Sequence, residues 1–365
     1  MQPRAFSLFV VGLTLVLVAA AWMLAWWLQP VYGDLTRLGG YAERTHGWNE
    51  PVLEFDPLPT SFGEWTRPVD ILVVGDSFAN LRPAQQWQNH LAAMTGWSVH
   101  TLDVHRVDVN ALRASPLFVE HPPKVVIWNV VERGLAADHA KVEGLCPSSR
   151  PAPPLALPPP MAVVAHARAV PRPHALAETN PGFARSWLYR GAMRGLFGVQ
   201  AGNTVEVELV RADLFSSRAS ARLLVYGDDF NKAAWSAEHL RRIRCALADL
   251  ATRFQADGRT VFMTALAPDK SSAYRPWARD PARLPAERLG ELFDGLDVPD
   301  ARLDLAIRDA VERGVVDVYM PDDTHWSGAG HALAAQVIFE RLSRLRAQAD
   351  VARGEARAQG PEAPK

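Results

Sequence analysis

Cysteine and net charge are both scarce in this chain. Cys146 and Cys245 are the only cysteines in 365 residues. Neither stands in a metal-ligand spacing, which excludes a zinc site built on thiolates. The 39 Lys and Arg are balanced by 40 Asp and Glu, leaving a formal net charge of −1. Without a basic surplus to neutralise phosphates, nucleic acid is not an expected partner. No internal repeat is found. Charge is missing altogether from Phe6 to Leu28, "FSLFVVGLTLVLVAAAWMLAWWL". A helix needs about 20 such residues to cross the hydrocarbon core. Arg4 precedes the run, and Trp22, Trp26 and Trp27 cluster at its far end like an interfacial aromatic belt. The run exceeds the roughly 7–15 residues of a signal-peptide core and leads into no clear A-x-A site. Residues 1–30 are therefore expected to be an uncleaved anchor. The N-terminus would be cytoplasmic and the remainder outside the membrane, which in a bacterium is the periplasm. That compartment permits a disulfide between the two cysteines, with two unpaired buried thiols as the alternative.

What is present is a core-forming composition, 48% hydrophobic and 22% charged, long enough for one large α/β domain or two small ones. Residues 31–68 are polar, with Gly, Pro and acidic residues, and read as a linker. Ile71–Val74, Trp97–Val104, Val125–Val130 and Val261–Leu266 are short apolar runs separated by helical patterns. Trp87, Leu91 and Met94 mark one helix face. Leu240, Ile243, Leu247 and Leu250 mark another, within the capped helix Ser236–Phe254. This is how strands of a parallel sheet covered on both faces read. The expected architecture is a three-layer α/β/α sandwich over residues 69–346 with a mainly parallel central sheet. Asn203–Val210 alternates like a half-exposed strand, and "VVDVYM" is expected to be the last strand, before a closing helix. Residues 146–173 carry nine prolines in 28 positions, so no regular helix or central strand runs through them. They read as an extended surface insertion, and residues 347–365 as a disordered tail.

Two loops carry the chemistry. The first apolar strand ends at Gly75-Asp76-Ser77. Serine there is an ordinary helix cap, but it is also a nucleophile if a histidine can take its proton and a carboxylate can fix that histidine's tautomer. "MPDDTHWSGAGH" supplies both: Asp322 and Asp323 stand three and two residues before His325. In a parallel sheet both loops would lie at the carboxyl ends of strands, the edge where open α/β sheets place their sites. Trp326 reads as a wall beside the histidine and His331 as a surface or cap residue.

"GDSF" and "DDTHWSGAGH" resemble the SGNH hydrolase superfamily, and more narrowly the SGNH hydrolase-like domain of alginate O-acetyltransferases of the AlgJ/AlgX type. "PKVVIWNVVERGL", "LFSSRASARLLVYGDDFNK" and "APDKSSAYRPW" extend the resemblance to about Val69–Leu342. The Asp-x-His motif follows the serine, as in ordinary SGNH enzymes, and the Gly-x-Asn-Asp block of SGNH esterases is absent. The resemblance implies an SGNH, flavodoxin-like fold with Ser77 as nucleophile, His325 as base and Asp323 as the orienting acid, Asp322 being the alternate. The Ser77 amide, at a helix N-terminus, would bind the oxyanion together with Asn129 or the Arg133 guanidinium, and Lys270 and Tyr274 would line the substrate cleft. The expected activity is acetyl transfer through an acetyl-serine onto an exported polysaccharide, with a membrane-bound O-acyltransferase supplying the acetyl group. A carbohydrate acetyl-esterase and a non-catalytic polysaccharide-assembly subunit are the rival classes. No metal or organic cofactor is implied.

Overall fold

The computed structural model describes residues 3–28, 32–136, 146, 151–163, 165–171, 181–200 and 202–358. The ends of the expected anchor (1–2 and 29–30), residue 31, parts of the Pro-rich insertion and residues 359–365 lie outside that set.

The chain starts with α1 (Pro3–Leu28), whose 26 residues are apolar enough to cross a membrane. Then come α2 (Asp34–Gly39), α3 (Glu43–His46), β1 (Val52–Phe55), β2 (Ser61–Phe62) and β3 (Ile71–Gly75). Next are α4 (Ser77–Asn80), α5 (Trp87–Thr95), β4 (Val99–Asp103), α6 (Val109–Ala114), α7 (Pro116–Glu120) and β5 (Val125–Asn129). β6 (Ala167–Val170), α8 (Pro181–Phe197), β7 (Thr204–Glu208), β8 (Arg222–Tyr226), α9 (Ala237–Phe254) and β9 (Val261–Thr264) follow. The chain ends in α10 (Lys270–Tyr274), α11 (Leu289–Phe293), α12 (Leu303–Glu312) and α13 (Gly328–Ala358).

Five strands form one parallel sheet in the order β2-β4-β3-β5-β9. Successive side chains leave a strand on opposite faces, so the apolar runs divide between two cores. Ile71, Val73, Val125, Ile127, Val261 and Met263 pack with Trp87 and Leu91 of α5, Ile307 of α12 and Ile338 of α13. Leu72, Val74, Val126, Trp128 and Phe262 pack with Ile243, Leu247 and Phe254 of α9 and Leu289 of α11. The three layers follow from burying both faces of β3, β5 and β9. α9 is capped as its sequence leads one to expect, and the cap is a reciprocal capping box, Ser236 Oγ accepting from the His239 N–H and the His239 ring accepting from the Ser236 N–H.

Several expectations are corrected. The stretch 31–68 is no linker: it supplies the edge strand β2 and sends α2 and α3 against the loop that carries His325. Its polar composition hides this, because its contacts with that loop are hydrogen bonds. The half-exposed strand expected within Asn203–Val210 does form, as β7, and it pairs with β8 in an antiparallel ribbon outside the main sheet. "VVDVYM" is not a strand. Asp317 takes a left-handed conformation at φ 52° that interrupts the extended run, and the chain closes on itself as Ser327 N–H donates to Val318 O and Met320 N–H to His325 O. The described part of the Pro-rich insertion is extended as expected, with Met161 N–H on Thr95 O and β6 paired to β1. α13 runs to Ala358 rather than fraying at 347, in keeping with the helix propensity of its Ala, Arg and Glu residues. Cys146 and Cys245 are disulfide-bonded.

Candidate active site

Gly75 ends β3 and is paired across the sheet with Asn129. A Cβ at Gly75 would lie 2.7 Å from Asn129 O and 2.6 Å from Ala79 Cβ, so only glycine lets the chain turn this tightly. Asp76 then caps α4. Its Oδ1 accepts from the Phe78 N–H at 2.9 Å and its Oδ2 from the Val131 N–H at 2.7 Å, tying the turn to the end of β5. Burial pushes the Asp76 carboxyl up, against those two hydrogen bonds. Ser77 is left half-buried at the carboxyl edge of the sheet, and its backbone N–H donates to no described group.

The opposing loop comes from 248 residues further along the chain. His325 Nε2 lies 2.8 Å from Ser77 Oγ, and His325 Nδ1 lies 2.6 Å from Asp323 Oδ1. The same carboxylate oxygen accepts from the His325 N–H at 3.0 Å, which fixes the imidazole relative to its own backbone. The Phe78 ring, 5.0 Å from the His325 ring and 5.0 Å from the Trp326 ring, forms the wall behind them. Trp326 is buried, in keeping with the wall expected of it. Burial alone would raise the Asp323 carboxyl, but the His325 charge and hydrogen bonds, with Arg82, outweigh it and hold Asp323 well below the ordinary carboxylate range. Arg82 Nη2 meets Asp323 Oδ2 at 3.1 Å.

Asp322 is not placed to orient His325. Its Oδ2 accepts from the Trp48 N–H, its backbone carbonyl accepts from Leu35 and Thr36, and its carboxyl hydrogen-bonds with Glu43. Gly33 rests against this backbone; a Cβ there would lie 2.0 Å from Asp322 O. Asp34 Oδ1 accepts from the Thr324 N–H at 2.9 Å. Burial, with the nearby Asp323 charge, pushes the Asp34 carboxyl up to about 6. Asp34, Asp323 and His325 have ligand atoms within 4.8 Å of one another, the sole such grouping among the described residues. Both His325 nitrogens there already face Asp323 and Ser77.

The remaining sequence-predicted residues divide. Asn129 is buried, with its Nδ2 donating to Ala265 O and its Oδ1 accepting from Trp87 Nε1, so it braces β5 instead of facing the site. Lys270 is buried, and its Nζ donates to the carbonyls of Met320 at 2.7 Å and of Pro321 and Asp323 at 3.0 Å. It pins the Asp323–His325 loop from behind. Tyr274 is buried against Phe215 at 4.8 Å, and its hydroxyl accepts from the Tyr319 N–H. Neither Lys270 nor Tyr274 lines a cleft. Arg133 does stay at the site's edge, with its guanidinium 5.7 Å from the Phe78 ring. Nη1 binds Asp269 at 3.0 Å, while Nε and Nη2 have no hydrogen-bond partner among the described residues. Lys232, buried between Glu132 and Asp269, anchors the network behind it. His331 is buried beside Trp326 rather than at the surface, and burial pushes its imidazole down to about 3.

Arg82, Asp34 and Glu43 were missed from sequence. Arg82 stands five residues after Ser77 with no motif around it, and the two acids lie in the stretch that reads as a linker. No curated protein and no solved structure matches the chain. Ser77 lies N-terminal to the matched segment, while His325, Asp323 and Lys270 lie inside it. Residues 222–364 match the family model of the SGNH hydrolase-like domain of the acetyltransferase AlgX, the family that the Gly-Asp-Ser and Asp-Asp-Thr-His motifs resemble.

Proposed function

We propose that this chain is a membrane-anchored, serine-dependent O-acetyltransferase that works outside the cytoplasmic membrane on an exported polysaccharide. The observation that carries the reading is the continuous hydrogen-bonded line from Ser77 Oγ through His325 to Asp323, 2.8 and 2.6 Å long. In it, Nδ1–H donates to Asp323 and Nε2 accepts from the Ser77 hydroxyl.

Ser77 Oγ attacks the acetyl carbonyl as His325 Nε2 takes its proton, and Asp323 stabilises the imidazolium. The oxyanion faces the unpaired Ser77 N–H, with the free edge of Arg133 as the second donor. The tetrahedral intermediate collapses, the C–O bond to the leaving alcohol breaks, and His325 returns the proton to that alcohol. A sugar hydroxyl then attacks the acetyl-serine. His325 accepts its proton and hands it to Ser77 Oγ as the acetyl-sugar departs.

α1 supports anchoring, since its apolar residues are exposed along its length. The Cys146–Cys245 bond supports an oxidising compartment. Acetyl-CoA is confined to the cytoplasm, so the acetyl group must arrive through the membrane, which fits a membrane-bound O-acyltransferase as donor.

The test is acetyl release from a nitrophenyl ester by the full chain in detergent, followed by mass spectrometry of oligosaccharides incubated with an acetyl donor. Ser77→Ala and His325→Ala are expected to lower turnover by about 10³-fold or more. Acetylated sugar supports transfer; acetate alone assigns an esterase. Turnover by Ser77→Ala equal to that of the native chain overturns the mechanism.

A further inference from the structure

The helix α8 presents its faces in reverse. A helix on a water-facing surface turns its charged side outward and its apolar side to the core. On α8 the outward side carries Leu188, Tyr189, Ala192 and Leu196 at helical spacing, continued by Phe197 and Val199. Leu196 is 77% exposed and Phe197 68%, values that single out a stripe rather than scattered residues. Two arginines turn inward instead. Arg190 Nη1 donates to Arg37 O at 2.8 Å, and Arg194 donates to Gly39 O and, at 2.8 Å, to Gly40 O, with its guanidinium 4.2 Å from the Tyr41 ring. Arg185, at the start of the outward side, is exposed.

The place where α8 begins says what covers the stripe. Phe183, Ala184 and Trp187 in its first turns pack against Leu24, Ala25 and Leu28 in the last turns of α1. α8 therefore starts where the apolar span of α1 ends, at the level of lipid headgroups, and its 17 residues extend about 25 Å from there.

We propose that α8 is a second membrane contact, with Leu188, Tyr189, Leu196 and Phe197 seated in the interfacial layer of the bilayer that α1 crosses. Its ligand is the phospholipid surface itself. Apolar side chains enter the acyl boundary, and Arg185 meets phosphate oxygens. The inward arginines give this contact a consequence. They fasten α8 to α2, whose first residue, Asp34, holds the Thr324 N–H beside His325. Docking thus holds the Ser77–His325 pair at one height and orientation over the membrane, where a membrane-bound acetyl donor can be met. The inference rests on reading α1 as an anchor.

The experiment keeps the two readings apart. Leu196→Cys and Phe197→Cys are labelled with an environment-sensitive dye in the full chain, reconstituted into vesicles of phosphatidylethanolamine and phosphatidylglycerol. Leu15→Cys reports on α1 and Val119→Cys on an exposed site elsewhere. Each variant is checked for an unchanged unfolding midpoint. The expected result is a blue-shifted emission at 196 and 197, quenched by a shallow lipid-borne nitroxide and protected from aqueous iodide, with Val119 behaving oppositely. Lipid quenching at Leu15 alone overturns the inference and leaves the anchor standing. Iodide quenching at all four positions overturns both.

Discussion

Lys270 Nζ donates to the backbone carbonyl of Asp323 at 3.0 Å, and the same ammonium also serves Met320 and Pro321. Three carbonyls use all three N–H groups of one buried cation. Burial pulls that ammonium down to about 8. Above that pH the neutral amine has two hydrogens left for three acceptors, so the His325 loop loosens. Turnover of a nitrophenyl ester is expected to decline above about pH 8 for this reason. Lys270→Met strands all three carbonyls and is expected to cost about 3 kcal/mol of stability, read by urea unfolding, together with most of the turnover.

Asp34 places a second carboxylate beside His325. Ionised, it stabilises the imidazolium formed when Ser77 gives up its proton, by about 1 kcal/mol, or roughly fivefold in rate. With its carboxyl near 6, the native pH–rate profile should carry an extra rise through that pH. Asp34→Asn should lack the rise, because Asn Oδ1 still accepts from Thr324 but bears no charge. Stability should move the other way. The folded carboxyl is raised from 3.8 to about 6, so the folded chain holds this proton more tightly than the unfolded one. That contribution is complete below about 3.8 and is lost as pH climbs to about 6. Unfolding midpoints of the two chains across this window check the sign.

Glu43 and Asp322 bring two carboxyls into one buried hydrogen bond. Burial, then the charge of Asp322 and the hydrogen bond with it, hold the Glu43 carboxyl well above its ordinary range. Its Oε1 also accepts from the N–H groups of Tyr32 and Gly33 and from Thr36 Oγ1. Glu43→Gln keeps that acceptor and gives Asp322 a permanent donor. It is expected to keep native stability at low pH and to exceed it as pH rises above 4.5, where the native chain begins to lose the advantage of its bound proton. Glu43→Ala abandons the donors and should cost about 2–3 kcal/mol at every pH. Thermal unfolding from acid to neutral pH separates the three chains.

The Cys146–Cys245 bond joins residues 99 apart. Constraining an unfolded chain over such a loop is worth about 2–4 kcal/mol. Cys146→Ser should therefore unfold at lower urea than the native chain. Reductant should lower the native midpoint to the same value and leave the variant unmoved.

Ser77, Asp323 and His325 could be read from the sequence because each lies in a short motif whose turn geometry is local. A strand must end at Gly75 for the chain to turn, and Asp323 reaches His325 across two residues. The strands β3, β5 and β9 were equally legible, since a run buried on both faces leaves no polar alternation. Lys270, Tyr274 and Asn129 were misplaced because residue type does not reveal which way a side chain points. All three carry groups that suit a cleft, and all three satisfy those groups inside the fold, Lys270 and Tyr274 against backbone and Asn129 against the Ala265 carbonyl and the Trp87 indole. "VVDVYM" has the composition of a strand, yet the left-handed Asp317 turns it back on itself.

The sequence by itself determined the apolar span, the parallel α/β core and the candidate serine and histidine, and narrowed the acid to Asp322 or Asp323, because short-range spacing and hydrophobic periodicity encode them. Only the tertiary structure decided that Asp323 rather than Asp322 serves His325, and that Asp34, Glu43 and Lys270 build the loop beneath it. Those choices depend on hydrogen bonds between segments up to 290 residues apart. Such bonds leave no periodic trace, since a buried polar group finds its partner wherever the fold brings one within reach.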